Sequence, residues 1–140
     1  MPSETCGGSE AGRARTHLAT DPRLCGEIVE LTEGSARVSL EAAAEMAVDE
    51  RGLIHGGFVF GLADYAAMLA VNEPTVVLGA AQCRFLAPVK VGDRLEAHAS
   101  ATSPEGRKHP VEARVVRGDD VVFTAAFTCF VLPGHVLDSG

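Results

Sequence analysis

The sequence predicts an α+β fold in which one long buried helix is wrapped by a curved antiparallel sheet of five or six strands. Three observations carry this expectation. Residues 51–72, RGLIHGGFVFGLADYAAMLAVN, place Phe58, Phe60, Leu62, Tyr65, Met68, Leu69 and Val71 around every side of a 3.6-residue wheel, and a helix that is apolar all round is a buried one. The segments before and after it read as strands. A chain of 140 residues, 46% hydrophobic and 22% charged, holds one globular domain with a sizeable core. A single apolar helix with strands on both sides in sequence buries itself only if the sheet curls around it.

Taken in order, residues 1–22 are rich in Ser, Gly, Thr and charged side chains and read as a flexible tail. Residues 23–133 form the domain and residues 134–140 a short C-terminal tail. The N-terminal stretch has no apolar run suited to a signal peptide, so the expected compartment is the cytoplasm. Residues 24–31 and 36–40 flank the turn-forming Thr32, Glu33, Gly34 and Ser35 as a first hairpin. Residues 41–50 are an Ala- and Glu-rich connector, either a short helix or a loop. The long helix follows. At about 16 residues it would be roughly 24 Å long, short for a membrane span, and Asp64 sits near its middle, where lipid would penalise it most. Pro74 stops it, with Asn72 placed as its C-cap. Residues 75–89, 94–102, 111–116 and 121–132 then read as four strands joined by turns, an antiparallel meander. One helix covers only one face of such a sheet. The remaining face and edges, with Phe85, Phe123, Phe127 and Phe130 available to them, point to a homodimer or larger assembly.

A formal charge of -7 and a pI near 5.1 argue against a nucleic-acid-binding surface, which needs clustered Lys and Arg. Cys6, Cys25, Cys83 and Cys129 form no C-x-x-C pair and the five histidines have no ligand spacing, so no metal or redox cofactor is expected. Cys83 and Cys129 lie in strand-like runs and read as small core residues.

The chemistry-bearing residues concentrate at the helix. His55-Gly56-Gly57 stands at its start, where two glycines allow close approach and the first-turn N–H groups have no internal partners. Such a terminus suits a carbonyl oxygen gaining negative charge in acyl transfer; alternatively the glycines only let the helix pack tightly under the sheet. Asp64 is the one carboxylate in residues 57–72. It is either a general base or nucleophile or a structural carboxylate. Gly56 and Asp64 are eight residues apart, roughly 12 Å along one helix. If they cooperate, the helix N-terminus of one subunit must meet Asp64 of another.

The run Asp49-x-x-Gly52-x-x-His55-Gly56-Gly57, followed by Leu62-Ala63-Asp64, resembles the hotdog-fold acyl-CoA thioesterases, in particular the branch related to the phenylacetic-acid-pathway thioesterases. Residues 84–93, RFLAPVKVGD, look like the strand and turn that follow in that fold. The resemblance implies a helix wrapped in an antiparallel sheet, sheets joined edge to edge in a dimer or dimer of dimers, and sites shared between subunits. By resemblance Asp64 attacks the thioester or activates water, the Gly56 amide with Gly57 beside it donates to the oxyanion, and His55 orients the thioester or the loop. Asp49 stands where many relatives have Asn and brings a second carboxylate near the site, leaving open which one is the base. Many relatives carry a Ser or Thr after the helix; residues 76–85 have no hydroxyl, and Gln82 substitutes only if its register points inward.

Coenzyme A would enter as part of the substrate rather than as a separate cofactor, with Arg84, Lys90 and Arg94, beside Arg107 and Lys108, as the group of basic residues available to its phosphates. The implied function is hydrolysis of an acyl-CoA thioester, with no nucleic acid and no membrane as partner. The alternative is a non-catalytic acyl-CoA-binding sensor, since the later strands also resemble the effector domain of the malonyl-CoA-responsive repressor of fatty acid synthesis. A hotdog dehydratase is a weaker third reading, because its Asp and His arrangement is not evident.

Overall fold

The computed structural model describes residues 12–138. A short helix α1 (Pro22–Cys25) leads into β1 (Glu27–Thr32) and β2 (Ser35–Glu41), a 3-10 turn (Ala44–Met46), the long helix α2 (Gly56–Val71), and strands β3 (Val76–Phe85), β4 (Arg94–Ala101), β5 (Lys108–Arg117) and β6 (Asp120–Val131). The six strands form one antiparallel sheet in the order β1-β2-β4-β5-β6-β3. Alternation sets its two faces. Val38, Leu95, Ala97, Ala99, Val111, Ala113, Val115, Phe123, Ala125, Phe127 and Cys129 are all buried, and the residues between them along each strand point away from α2.

Helix α2 is buried on most of its circumference, with Leu62, Ala63, Ala66, Ala67 and Leu69 fully enclosed. Burying Leu62 or Leu69 stabilises by about 2 to 3 kcal/mol each as an upper estimate. The helix ends where Asn72 turns left-handed, φ 54°, its N–H bonding the Met68 carbonyl, which is the C-cap expected from sequence. Asn72 also holds the chain that precedes α1: it accepts from the Arg15 N–H at 2.7 Å and donates to the Arg13 carbonyl at 2.9 Å. Part of the stretch read as tail thus lies against the helix end, and its residues 1–11 fall outside the described residues. Gly26, φ 105°, lets the chain turn from α1 into β1 where a Cβ would come within 2.6 to 2.9 Å of Val38, Leu62 and the Ser39 carbonyl.

One topological expectation is corrected. The last four strands are not a simple meander, because β3 pairs with β6 instead of β4. Strand β4 already has β2 on one side, Leu40 opposite Leu95, and β5 on the other. With both edges taken, β3 goes to the far side of the sheet, and residues 86–93 cross back past the mouth of α2. There Ile54 donates to the Val89 carbonyl at 2.8 Å and Val91 to the Gly52 carbonyl at 2.9 Å.

The edge position of β3 also corrects the reading of its side chains. Every residue from Gly79 to Phe85 is exposed. Cys83 is therefore not a core residue, unlike Cys129. Phe85 is 56% exposed, while Phe123 and Phe127 pack inward, edge-on against Phe60.

Candidate active site

The start of α2 is fixed by hydrogen bonds on both sides. His55 is the N-cap, with extended backbone, and its N–H bonds the Met46 carbonyl at 3.0 Å. Its Nδ1 accepts from the Gly57 N–H at 2.7 Å, which uses one of the helix's orphan donors. The Gly56 N–H meets no acceptor among the described residues. Of the two glycine amides, that of Gly56 is the free one, and its Cα lies so close to Phe85 that a Cβ would sit 3.0 Å from the ring. His55 is thus a capping residue at the helix entrance.

Asp49 holds the preceding turn. Its Oδ1 accepts from the N–H groups of Arg51 at 3.0 Å and Leu53 at 3.1 Å, and Gly52 takes a φ of 84° in that turn. A carboxylate so bonded is an anchor for the loop that delivers His55 and Gly56.

Helix α2 runs alongside β6 in the same direction, since Gly56 meets Phe85 beside Phe123, Phe60 meets Phe123 and Phe127, and Asp64 lies near Cys129. Asp64 has an enclosed Oδ1 with no hydrogen-bond partner. Burial raises its pKa to about 6, because a desolvated carboxylate prefers its neutral form. Burial, and after it the Asp64 charge, push the Cys129 thiol up to about 12, so that thiol stays protonated and is no nucleophile. A buried carboxyl oxygen without a partner calls for a ligand group or a water.

Between this helix face and β3 the chain is open. Ala81, Cys83 and Phe85 share the inner face of β3 through their pairing with Phe127, Ala125 and Phe123, yet all three are exposed. Gln82 pairs with Ala126 and points to the outer face of the sheet. It therefore does not replace the missing hydroxyl.

A cavity of about 260 Å³ lies at the helix mouth, walled by Ile54, Gly56, Val59 and Phe85. A second, of about 570 Å³, adjoins it and shares Leu53, Pro88 and Val89. This one is lined by Asp49, Arg51, Lys90, Asp93 and Arg117. Of the five basic residues expected to act as a group, Arg84, Lys90, Arg94, Arg107 and Lys108, only Lys90 lines it. Arg84 faces the outer side of the sheet, paired in register with Thr124, and Arg94 lies over Glu41 in a separate hollow. Sequence reasoning missed Arg51 and Arg117. Arg51 sits inside the motif that carries the site. Arg117 looked like a turn residue, and only the fold brings it to Asp93 at 3.1 Å and the Pro88 carbonyl at 2.7 Å.

The family model of the thioesterase superfamily matches residues 51–124, the segment that carries the helix mouth, Asp64 and the strands behind it. The chain belongs to the thioesterase superfamily. As a member of it, the chain has a hotdog fold, one main helix against a six-stranded antiparallel sheet. It is similar to the crystal structure of an uncharacterized protein, PH1136, from Pyrococcus horikoshii, with 56% identity, a TM-score of 0.89, and coverage of 90% of this chain and 97% of that one. It is also similar to a mutant of the phenylacetic acid degradation protein PaaI from Thermus thermophilus, with 31% identity, a TM-score of 0.71, and coverage of 78% and 95%. Among curated relatives, it is 45% identical over 119 residues, 84% of its length, to methylthioribose-1-phosphate isomerase from Aquifex aeolicus (strain VF5), of which it spans 26%. It is 27% identical over 120 residues, 85% of its length, to transcription factor FapR from Thermoanaerobacter sp. (strain X514), of which it spans 60%. This thioesterase-superfamily chain thus spans between about a quarter and three fifths of those two relatives.

Proposed function

We propose that this thioesterase-superfamily chain hydrolyses an acyl-CoA thioester to the free acid and coenzyme A. The observation that carries the reading is Asp64, a carboxylate enclosed in an apolar helix with one oxygen unpartnered. An unpaired buried carboxyl is costly to keep and is suited to a general base or nucleophile whose affinity for a proton is raised toward neutrality. The free Gly56 amide supplies the oxyanion donor. The two stand about 12 Å apart along α2, so the reading requires a homodimer in which the Gly56 amide of one protomer faces Asp64 of the other across the open inner side of β3. The groove from the helix mouth to Arg51 and Lys90 gives the coenzyme A phosphates cations to meet in an otherwise acidic protein.

In this mechanism the thioester carbonyl oxygen accepts from the Gly56 N–H, and ionised Asp64 takes a proton from water as that water attacks the carbonyl carbon. The C–S bond then breaks and the thiolate of coenzyme A leaves. His55 holds the helix entrance through Gly57, and Asp49 holds the turn.

The test is a panel of acyl-CoA substrates assayed for free thiol, with Asp64→Ala beside wild type. Turnover is expected to fall about 10²- to 10⁴-fold, and unchanged turnover would overturn the mechanism. A second reading, a non-catalytic acyl-CoA-binding sensor, is favoured by one observation: the outward register of Gln82 in a strand that has no hydroxyl, which leaves no second group to position water. It is supported by the similarity to FapR. Saturable acyl-CoA binding by wild type with no thiol released would establish that reading instead.

A further inference from the structure

The outer face of the sheet carries a row of basic residues that the thioester site does not use. Strand register places Arg37 opposite His98, His98 opposite Arg114, Arg114 opposite Thr124, and Thr124 opposite Arg84. Neighbouring strands lie about 4.8 Å apart, so Arg84 and Arg114, on the strands either side of Thr124, stand about 10 Å apart at their Cβ atoms. Two members of the row are compensated. Arg37 pairs with Glu30 at 3.1 Å and Glu96 at 3.4 Å, and His98 Nε2 reaches Glu96 at 2.8 Å. Arg84 and Arg114 have no carboxylate partner among the described residues, and they flank the Thr124 hydroxyl from the two neighbouring strands.

These two guanidinium groups border a cavity of about 780 Å³, which extends over Ala126 toward Gln82 and Ser100. Ala126 is small and exposed between longer neighbours, so it forms the floor. We infer that this hollow is a binding site for a small organic phosphate, its phosphoryl group held between Arg84 and Arg114 over Thr124 and its polar body lying over Ala126. Paired arginines present planar donor forks that match phosphate oxygens bidentately, and the hydroxyl adds a third donor. The volume exceeds that of a bare phosphate ion, and the far wall is polar. Glu112 also lines the cavity, two residues from Arg114 on the same face. It opposes a second negative charge, so the site suits a monoester with one phosphoryl group over a polyanion.

The site is separate from the helix mouth, because Arg84 and Arg114 lie on the face of the sheet turned away from α2. It stands whether or not the protein is a thioesterase.

Calorimetric titration with glycerol 3-phosphate and with inorganic phosphate tests it, using the full chain at low salt. Saturable binding of the ester is expected, tighter than that of inorganic phosphate; equal or tighter binding of inorganic phosphate would overturn the role given to the floor of the hollow. Arg84→Gln with Arg114→Gln is expected to weaken binding of the ester at least about tenfold, while Glu112→Gln tightens it by relieving repulsion. All three positions are exposed, and a melting curve like that of wild type confirms that each variant is folded. No saturable binding of either probe overturns the inference. So does binding that survives the double arginine change but disappears in Arg51→Gln with Lys90→Gln, which places the phosphate in the other groove. If light scattering shows an assembly that dissociates on Arg84→Glu and re-forms with Glu112→Arg added, a second copy occupies the face and the inference fails.

Discussion

As the proposed base, Asp64 makes opposite demands on activity and on stability. As a base it must be ionised, so with a pKa of about 6 kcat/KM is expected to climb with pH through that value and level off above it. For folding the sign is reversed. The folded-state value lies above the ordinary 3.8, so the native protein holds a proton that the unfolded chain has lost. Below about 3.8 both forms are protonated and the group is neutral in its effect. As pH rises from there to 6 the native state loses stability, by about 2 to 3 kcal/mol in all. Asp64→Asn removes the titration and keeps the shape. Denaturant melts of both proteins at pH 4 and pH 7.5 are expected to show the variant gaining on wild type by that amount at the higher pH; a constant gap would mean that the carboxyl is not desolvated. Asp64 stood out in the sequence as the one carboxylate of an apolar helix, with a catalytic and a structural role both open to it. The allocation of the glycine amides was not legible there, since it depends on which way the His55 ring turns, and residue type does not encode that.

At the scale of elements, α2 begins where the sequence placed it to within one residue and ends on the Asn72 cap. The strands fall close to their expected ranges, because alternation and turn residues are local signals. The order of strands is not local. Nothing within residues 75–89 indicates that β6 and not β4 will be its neighbour; that follows from β2 and β5 holding both edges of β4, the first through pairings such as Leu40 with Leu95 that are distant in sequence. The helix start offers a clean test of the oxyanion donor. Gly56 is the first residue of α2, where proline is tolerated because its missing N–H would have no helical partner, and His55 already has the extended backbone that a following proline requires. Gly56→Pro therefore deletes one N–H where the helix tolerates it, and because its Cβ also presses on the exposed Phe85 ring at 3.0 Å, Gly56→Ala, which adds the same Cβ and keeps the N–H, is the control. Circular dichroism is expected to match wild type while kcat falls about 10²- to 10³-fold; full activity in a folded variant would remove Gly56 from the mechanism.

At the scale of the molecule, β3 is an edge strand whose residues 79–85 are exposed on both faces, with Leu86 uncovered beside them. One helix covering only one face of the sheet led to the expectation of an assembly, and nothing in the sequence indicated which edge would be left exposed. Ala81 lies on the inner face of that strand. Ala81→Arg is expected to halve the mass seen by light scattering and to abolish turnover together, whereas a monomer that remains active would refute the shared site. The spacing of Gly56 and Asp64 on one helix has a consequence of another kind. If each catalytic centre draws one half from each chain, two dead proteins can repair one another. Unfolded and refolded together in equal amounts, Gly56→Pro and Asp64→Ala chains would form mixed dimers as half of the population. Each mixed dimer has one centre with both defects and one with neither, so about a quarter of the wild-type centres would return. An enzyme whose helix served only itself would recover nothing.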